Sequence, residues 1–182
     1  MRALVQRIKK GSVRVDGKFV AEEIEFGMMI FLGIGQDDTK EKADFLARKI
    51  SNLRIFNDDQ GKMNLSIKDV SGKAIVVSQF TLYADTRKGN RPSFISAAKP
   101  EIADALVDYF ASQLSQQGIP TQQGEFGANM EVELINDGPV TIWFDIWINH
   151  LNWYWQISKL PDKKSLSLGM AVKKSNFYAA RQ

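Results

Sequence analysis

Short runs of apolar and β-branched residues, separated by turn residues, dominate the first eighty positions of the chain. Residues 4–8 and 12–15 have the composition of paired strands, and an Asp-Gly pair at positions 16–17 is typical of a tight hairpin turn. Residues 27–35 are almost wholly apolar and bounded by glycines, which is typical of a buried strand. Residues 74–83 form the strongest strand pattern in the chain, so we predict a sheet built from these segments.

Two segments show helical spacing of their apolar residues instead. We expect the first helix to be capped by Asp38 or Thr39, and the second to begin at Pro100, because proline is permitted in a first turn. Gly118 is expected to end the second helix. The apolar stripes are Phe45, Leu46, Ile50 and Leu53 in the first helix, and Ile102, Leu106, Phe110 and Leu114 in the second.

Shorter strands are predicted between and after the helices. Residues 53–56 are expected to form a strand that is followed by a turn at 57–61. Residues 130–135 and 140–144 are expected to be two strands joined by a turn at 136–139. Two helices among about eight strands, most of them connected by hairpins, indicate an α+β fold. We therefore predict mostly antiparallel sheets with about two helices on one face.

Composition places the chain among globular proteins and excludes several kinds of chemistry. Its 182 residues suffice for one domain with a core, and 44% are hydrophobic and 25% charged. There is no cysteine, which excludes disulfides and thiolate nucleophiles. No apolar run approaches the ~20 residues of a membrane span, and the first residues lack the pattern of a signal peptide. We expect a cytoplasmic protein that makes no membrane contact.

Basic residues are concentrated at the C-terminal end of the chain. The formal net charge is +3, but residues 147–182 have +5, so residues 1–146 have −2. We expect a main domain over residues 1–146 and a basic, tryptophan-containing extension over residues 147–182. A slightly acidic main domain would contact RNA locally and not through a broad basic surface. The only histidine, His150, is in the extension, so the main domain has neither histidine nor cysteine for catalysis.

Polar residues interrupt the strongest predicted strand at Ser78-Gln79-Phe80-Thr81. If the strand continues, Ser78 and Phe80 face one side of the sheet and Gln79 and Thr81 the other, unless a bulge or strand end reorients them. A buried hydroxyl or amide without a partner costs about 1–3 kcal/mol, so such a cluster suggests a functional site. The alternative is that Ser78 and Thr81 only bond the neighbouring backbone.

Two further segments are open to a functional or a structural explanation. The Asn-Asp-Gly-Pro sequence at 136–139 is typical of a structural hairpin turn. The loop at residues 85–94 concentrates three cations around a glycine, an arrangement that holds phosphates in some proteins and is only solvated in most. The sequence contains no Walker loop, no dinucleotide fingerprint and no metal-ligand spacing, so we expect no cofactor and no metal.

Five segments of the chain, taken in order and with their spacing, closely resemble the D-aminoacyl-tRNA deacylase family. The resemblance runs from Met1 to about Asp145, so it does not include the extension. The segments are residues 52–56, 61–66, 76–86, 91–94 and 136–141.

The resemblance implies a hydrolase that cleaves the ester between a D-amino acid, or glycine, and the 3′-terminal adenosine of tRNA. It also implies a homodimer with two active sites at the subunit interface. In the family the Gly-Pro pair, here Gly138-Pro139, has a cis bond and enters the partner's pocket as a chirality filter. Position 129 is Asn in this chain and commonly Asp in the family. The implied catalytic residues are Ser78, Gln79 and Thr81, and the implied substrate-binding residues are Phe80, Phe126 and Met130.

Two mechanisms fit these residues. In the first, the Thr81 hydroxyl attacks the ester carbonyl as a nucleophile, although the sequence offers no nearby base. In the second, which we favour, backbone N–H groups of residues 79–81 stabilise the oxyanion and the substrate's own 2′-hydroxyl directs a water molecule. A non-catalytic tRNA- or DNA-binding module and a dimer with only an interaction role are the alternatives from other functional classes.

Overall fold

The computed structural model of the chain describes residues 1–146, and the predicted extension at 147–182 lies outside the described residues. The described part contains eight strands, two α-helices and one short 3₁₀ helix. In chain order these elements are β1 (Arg2–Val15), β2 (Lys18–Ile24), β3 (Gly27–Gly33), α1 (Lys40–Ser51), β4 (Phe56–Asn57), β5 (Met63–Leu65), β6 (Lys73–Ser78), the 3₁₀ helix (Phe80–Tyr83), α2 (Pro100–Gln116), β7 (Thr121–Gln123) and β8 (Met130–Asp145).

Six of the strands form one sheet that is nearly closed into a barrel. Its order is β2-β1-β3-β6-β7, and β8 pairs with the other edge of β1. The backbone N–H of Glu22 in β2 donates to Gln122 Oε1 in β7 at 2.7 Å, which brings the two ends of the sheet together. The fold is α+β, and the pairings of β1 with β2, β3 and β8 are antiparallel, as predicted. The pairings of β6 with β3 and with β7 are parallel. The connection from β3 to β6 therefore crosses over through α1, and the connection from β6 to β7 crosses over through α2. These two connections are not hairpins of the kind predicted for most of the strands.

The two faces of the sheet pack into separate apolar clusters. Successive residues of a strand point to opposite faces, so Ile30 and Val76 join one cluster while Met29 and Ile75 join the other. Both helices contribute to the first cluster. The predicted helix starts at Thr39 and Pro100 are confirmed, and Gly118 follows the end of α2 with a φ of +85°. The stripe of α2 is buried at Leu106, Phe110 and Leu114, whereas Ile102 is 48% exposed.

The predicted turn at residues 136–139 is wrong, because β8 is one continuous strand of 16 residues. Both of its halves pair with the same long strand, β1, so the chain never reverses between them. Gln6 pairs with Thr141 and Ile8 with Asn136, so that residues 137–140 lie opposite Arg7 alone. The Asn-Asp-Gly-Pro segment is therefore a bulge within a strand and not a hairpin turn.

The strand predicted over residues 74–83 ends early, at Ser78, and the 3₁₀ helix follows. The backbone N–H of Gln79 still donates to Leu32 O of β3 at 2.8 Å, but Gln79 O then accepts from the N–H of Leu82 at 3.2 Å. This local hydrogen bond replaces the sheet ladder. The predicted alternation of Ser78 and Phe80 against Gln79 and Thr81 therefore does not apply beyond the strand end.

Candidate active site

The carboxyl ends of the parallel strands β3, β6 and β7 lie side by side at one edge of the sheet. Leu32 pairs with Ser78 and Val76 with Gln123, so the segments after these strands leave the sheet together. In open α/β sheets ligands bind outside the carboxyl ends of the parallel strands, so this end of β3, β6 and β7 is a candidate site. The segments that leave here contain the motif at residues 78–81 and the loop at residues 124–130.

The motif residues are exposed to different degrees at the start of the 3₁₀ helix. Ser78 and Gln79 are half-buried, Thr81 is exposed, and Phe80 is 58% exposed. Gln79 Nε2 donates to Thr81 Oγ1 at 2.5 Å, so the Thr81 hydroxyl is an acceptor in this contact. No histidine, lysine or carboxylate of residues 1–146 bonds the Thr81 hydroxyl, and a nucleophilic threonine needs such a base.

The first turn of the 3₁₀ helix presents free backbone donors. A helix leaves its first N–H groups without acceptors inside the helix. Within residues 1–146, the N–H groups of Phe80 and Thr81 have no hydrogen-bond acceptor. Two adjacent donors beside the Thr81 hydroxyl can bind a carbonyl or oxyanion oxygen that enters from solvent.

The side chain of Arg2 in β1 connects the 3₁₀ helix to the sheet through hydrogen bonds. Its Nη1 donates to Leu82 O at 2.9 Å, and its Nε donates to Asp145 Oδ2 at 3.1 Å. Its guanidinium carbon also lies 4.4 Å from the centre of the Tyr83 ring, a cation–π distance. One side chain thus holds the backbone and an aromatic ring of the 3₁₀ helix in place.

Asp38 holds the other side of Tyr83 from a buried position. The Asp38 side chain is 3% exposed and accepts from the Met1 amine at 2.6 Å, from Lys42 Nζ at 3.0 Å and from the N–H of Gly35 at 2.7 Å. Burial raises the pKa of Asp38, but these donors outweigh burial and the net pKa is lowered. Tyr83 Oη donates to Asp38 Oδ2 at 3.3 Å, and burial together with this carboxylate raises the pKa of Tyr83, which stays protonated.

The approach between Tyr83 and the loop after β3 is close enough to require glycine. A Cβ on Gly35 would lie 2.6 Å from Tyr83 Oη, and one on Gly33 would lie 3.0 Å from Gln79 O. Arg2, Tyr83 and this role of Asp38 were not predicted from the sequence. Their positions depend on contacts between residues that are far apart in the chain, and hydrophobic periodicity does not report such contacts.

The other predicted pocket residues lie at the same edge of the sheet. Met130 packs against the cluster that contains Val77, and its sulfur would be 2.5 Å from a Cβ on Gly124. Phe126 is half-buried in the loop between β7 and β8. The Phe80 ring stands edge-on to the Phe94 ring with 5.0 Å between centroids, which makes an aromatic pair beside the motif.

Gly138 and Pro139 do not join this group within one chain. The bond between them is cis, and both residues are exposed in the bulge of β8. Arg7, which is 6% exposed, holds the bulge by donating from Nε to Asp137 O at 3.0 Å and from Nη1 to Ile55 O at 2.6 Å. Trp143 of β8 lies three strands from β6, and Pro139 lies four residues further along β8, so Pro139 is roughly 15–20 Å from the motif.

Over residues 1–146 there is no group of three or more His, Cys, Asp or Glu side chains that could hold a metal ion. Neither α1 nor α2 is long and apolar enough to cross a membrane.

Comparison with known proteins identifies the family. The family model described as D-Tyr-tRNA(Tyr) deacylase matches residues 4–145. A D-aminoacyl-tRNA deacylase of Chloroflexus aurantiacus is 57% identical over 145 residues, which are 80% of this chain and 90% of that protein. One of Ruegeria pomeroyi is 54% identical over 146 residues, which are 80% of this chain and 100% of that protein.

Two solved structures resemble the described fold. One, titled c-Myc DNA Unwinding Element Binding Protein, has a TM-score of 0.76 and 39% identity, and the match covers 81% of this chain and 99% of that one. The other, a probable eukaryotic D-amino acid tRNA deacylase, has a TM-score of 0.69 at 19% identity, with 80% and 98% covered, and supports the fold alone. With the family model matched over most of the chain and relatives above 50% identity, the chain belongs to the D-aminoacyl-tRNA deacylase family of hydrolases.

Proposed function

We propose that the protein hydrolyses the ester between a D-amino acid, or glycine, and the 3′-terminal adenosine of tRNA at the carboxyl end of β6. The observation that supports this most is the pair of free N–H groups at Phe80 and Thr81, inside the motif that the family shares. Because the substrate is aminoacyl-tRNA, we place the reaction in the cytoplasm.

The chemistry we propose relies on the backbone and not on an acid–base side chain. The ester carbonyl oxygen accepts from the N–H groups of Phe80 and Thr81, and a water molecule directed by the 2′-hydroxyl attacks the carbonyl carbon. The carbon–oxygen bond to the 3′ oxygen then breaks, and that oxygen takes a proton from the attacking water. One oxyanion donor of this kind contributes about 2.7–4 kcal/mol to transition-state stabilisation. Two preorganised donors would therefore account for a large part of the rate acceleration.

Side chains around these donors support the positioning of the substrate. Gln79 donates to Thr81 and thereby orients a hydroxyl beside the oxyanion position, and Ser78 ends the strand that fixes both. Phe80, Phe126 and Met130 would form the apolar wall for the terminal adenosine and the aminoacyl group, since all three lie at this edge of the sheet with part of their surface accessible.

We propose further that the chirality filter acts between subunits of a homodimer. Gly138 and Pro139 are exposed and roughly 15–20 Å from the motif of their own chain, so they would reach only a pocket of another chain. Strand β8 also supports an interface, because Ile135 is 52% and Trp143 is 48% exposed. A two-fold axis would place each Gly-Pro unit in the other subunit's pocket, as an isologous interface requires.

Rejection of L-amino acids follows from rigid backbone atoms at this position. The two enantiomers of an amino acid expose the same groups, so hydrophobicity cannot separate them. Proline has a fixed φ, and Arg7 bonds the carbonyl of Asp137 directly before Gly138, so the unit would present its carbonyl oxygens with little freedom. These oxygens would collide with an L side chain, whereas a D side chain would point away and glycine has none to reject.

The test is a deacylation assay with D-, L- and glycyl esters on the same tRNA. We expect many turnovers for the D and glycyl esters and slow hydrolysis of the L ester. Equal or faster hydrolysis of the L ester would overturn the filter. A protein that only protects the ester stoichiometrically would overturn the enzyme function.

DNA binding is the second candidate, because the structure that is 39% identical is titled a DNA-unwinding-element binding protein. The charge of the main domain disfavours it. Residues 1–146 have a net charge of −2, and proteins that grip duplex DNA by its phosphates usually present a strongly basic surface. If duplex DNA at the same concentration as tRNA inhibited deacylation by competition, that result would favour DNA binding.

A further inference from the structure

We propose that the loop at residues 85–94, here called the basic loop, binds phosphate groups of the single-stranded 3′ end of the RNA. This inference rests on the proposed function, because it assigns the part of the substrate that lies outside the pocket. The contact is between guanidinium or ammonium groups of the loop and nucleotide phosphates.

The basic loop concentrates positive charge in a main domain that is otherwise acidic. It contains Arg87, Lys88 and Arg91 against Asp85 alone, so its net charge is +2 in a domain of −2. All three cationic residues are exposed. In the described part of the chain, Lys88 and Arg91 have no ion pair and no hydrogen-bonded partner for their side chains. Their charges are therefore available to a ligand.

The basic loop is fixed to the candidate active site at its base. Asp85 and Ser93 exchange two backbone hydrogen bonds of 2.8 and 2.9 Å, which close the loop. Phe94 follows Ser93 directly, and its ring packs edge-on against the Phe80 ring at 5.0 Å. Only Ala84 separates the 3₁₀ helix from the loop in the sequence. A nucleotide strand that enters the pocket at Phe80 therefore passes beside the loop.

The negative charge of Asp85 is paired with Arg87, one of the three cationic residues of the loop, and so does not repel a phosphate. Arg87 donates from Nε to Asp85 Oδ1 at 2.9 Å and from Nη2 to Asp85 Oδ2 at 2.6 Å. These hydrogen bonds lower the pKa of Asp85 to about 2, so Asp85 is ionised at the neutral pH of the assay. Lys88 and Arg91 then supply the net charge of the loop.

The tip of the basic loop contains a glycine in a conformation that L residues rarely adopt. Gly89 has a φ of +122°, and a Cβ built there would meet no atom within 4 Å. The tip between Lys88 and Arg91 is therefore open to solvent at Gly89.

The test compares the double variant Lys88→Gln/Arg91→Gln with the control Lys49→Gln/Lys73→Gln. Lys49 and Lys73 are exposed, and both variants lower the net charge by two. Lys73 begins β6 at the end opposite to Ser78, away from the candidate active site. Hydrolysis is measured on D-aminoacyl-tRNA and on D-aminoacyl-adenosine, which has no phosphate. The KM for tRNA is measured from about 50 to 200 mM salt, the range over which phosphate contacts weaken strongly.

We expect the loop variant to raise the KM for D-aminoacyl-tRNA several-fold and to leave kcat within about twofold. Two lost phosphate contacts should make the slope of log affinity against log salt less negative by about 1.4, at about 0.7 for each contact with a single strand. Hydrolysis of D-aminoacyl-adenosine and the midpoint of thermal unfolding should be unchanged, and the control should match the unaltered protein.

An unchanged salt slope, an equal effect in the control, or an equal loss on D-aminoacyl-adenosine would overturn the proposal. These outcomes differ from a failure of the proposed function, in which the unaltered protein would hydrolyse neither substrate. In that case, the affinity of both variants for uncharged tRNA still tests the loop.

Discussion

At the scale of single residues, the chemistry of the candidate site depends on which groups donate and which accept. The Thr81 hydroxyl accepts from Gln79, and the adjacent N–H groups of Phe80 and Thr81 are free donors within the described chain. A site built this way activates the carbonyl of the substrate and not a nucleophile of the protein. The absence of histidine and cysteine from residues 1–146 agrees with this assignment.

We predict that Thr81→Ala lowers kcat/KM by no more than about tenfold, because the backbone donors remain, whereas loss of an obligate nucleophile costs on the order of 10⁴ or more. Thr81→Ser, which keeps the hydroxyl, is the matched control and should be nearly unchanged. Single-turnover kinetics on D-aminoacyl-tRNA measure both variants. An acyl ester of Thr81 detected by mass spectrometry would contradict the prediction.

The buried charge of Asp38 leads to a prediction of pH-dependent stability. Breaking a buried ion pair by removing one partner costs about 3–5 kcal/mol, so Asp38→Asn should lower the free energy of unfolding by that order at pH 7. Because the folded pKa of Asp38 lies below its ordinary value, its contribution is present above about pH 4 and is lost as the pH falls through the folded pKa.

Denaturant unfolding between pH 7 and pH 2.5 checks this prediction. The difference in free energy of unfolding between the unaltered protein and Asp38→Asn should shrink toward the acid end. Asp37→Asn is the control, since Asp37 is exposed one position earlier in the chain. A difference that stays constant with pH would show that Asp38 does not act through its charge.

At the scale of elements, the 3₁₀ helix is held by contacts from two separate parts of the chain, β1 and the segment between β3 and α1. Arg2 bonds Leu82 O, Asp38 accepts from Tyr83, and Gly35 allows the Tyr83 hydroxyl to come close. We expect these contacts at Leu82 and Tyr83 to hold the free donors of Phe80 and Thr81 in place. Preorganisation of the oxyanion donors is therefore a property of the element and not of its first residues alone.

We predict that Gly35→Ala displaces Tyr83, since the new Cβ would lie 2.6 Å from the Tyr83 hydroxyl. Overpacking of this kind costs about 1–3 kcal/mol of stability, and kcat should fall more than the affinity for substrate. Tyr83→Phe removes the hydroxyl and should partly rescue Gly35→Ala, so the two changes should be non-additive. Strictly additive effects on kcat in the double-variant cycle would contradict this account.

At the scale of the whole molecule, β8 presents the exposed apolar side chains of Ile135 and Trp143 on the same strand as the exposed Gly-Pro bulge. If this surface forms the dimer, Ile135→Glu should shift the protein toward monomer and weaken its discrimination between D and L esters in parallel, because the filter and the pocket would then belong to different chains. Ile102→Glu on α2 is the control, since Ile102 is 48% exposed and Ile135 is 52% exposed. Analytical ultracentrifugation at micromolar concentration measures the assembly. A strictly monomeric protein with full selectivity would rule out a filter that acts between subunits.

The amino-acid sequence by itself determined the α+β class, the starts of both helices and most strand positions. These features follow from local periodicity and from turn and cap residues, such as Pro100 and Gly118, whose effects extend over only a few positions. The motif at residues 78–81 was also visible as polar residues in an apolar run. The family followed from the order and spacing of whole segments, and the comparisons confirmed it.

Only the tertiary structure decided where the chain turns and what surrounds the motif. Residues 136–139 have the composition of a hairpin turn, yet they form a bulge because β1 is long enough to pair with both halves of β8. The strand after residue 74 ends at Ser78 because a hydrogen bond between Gln79 and Leu82 replaces the ladder. The anchors Arg2, Arg7 and Asp38 act on residues from 45 to 130 positions away, and their roles exist only once the sheet has brought those residues together.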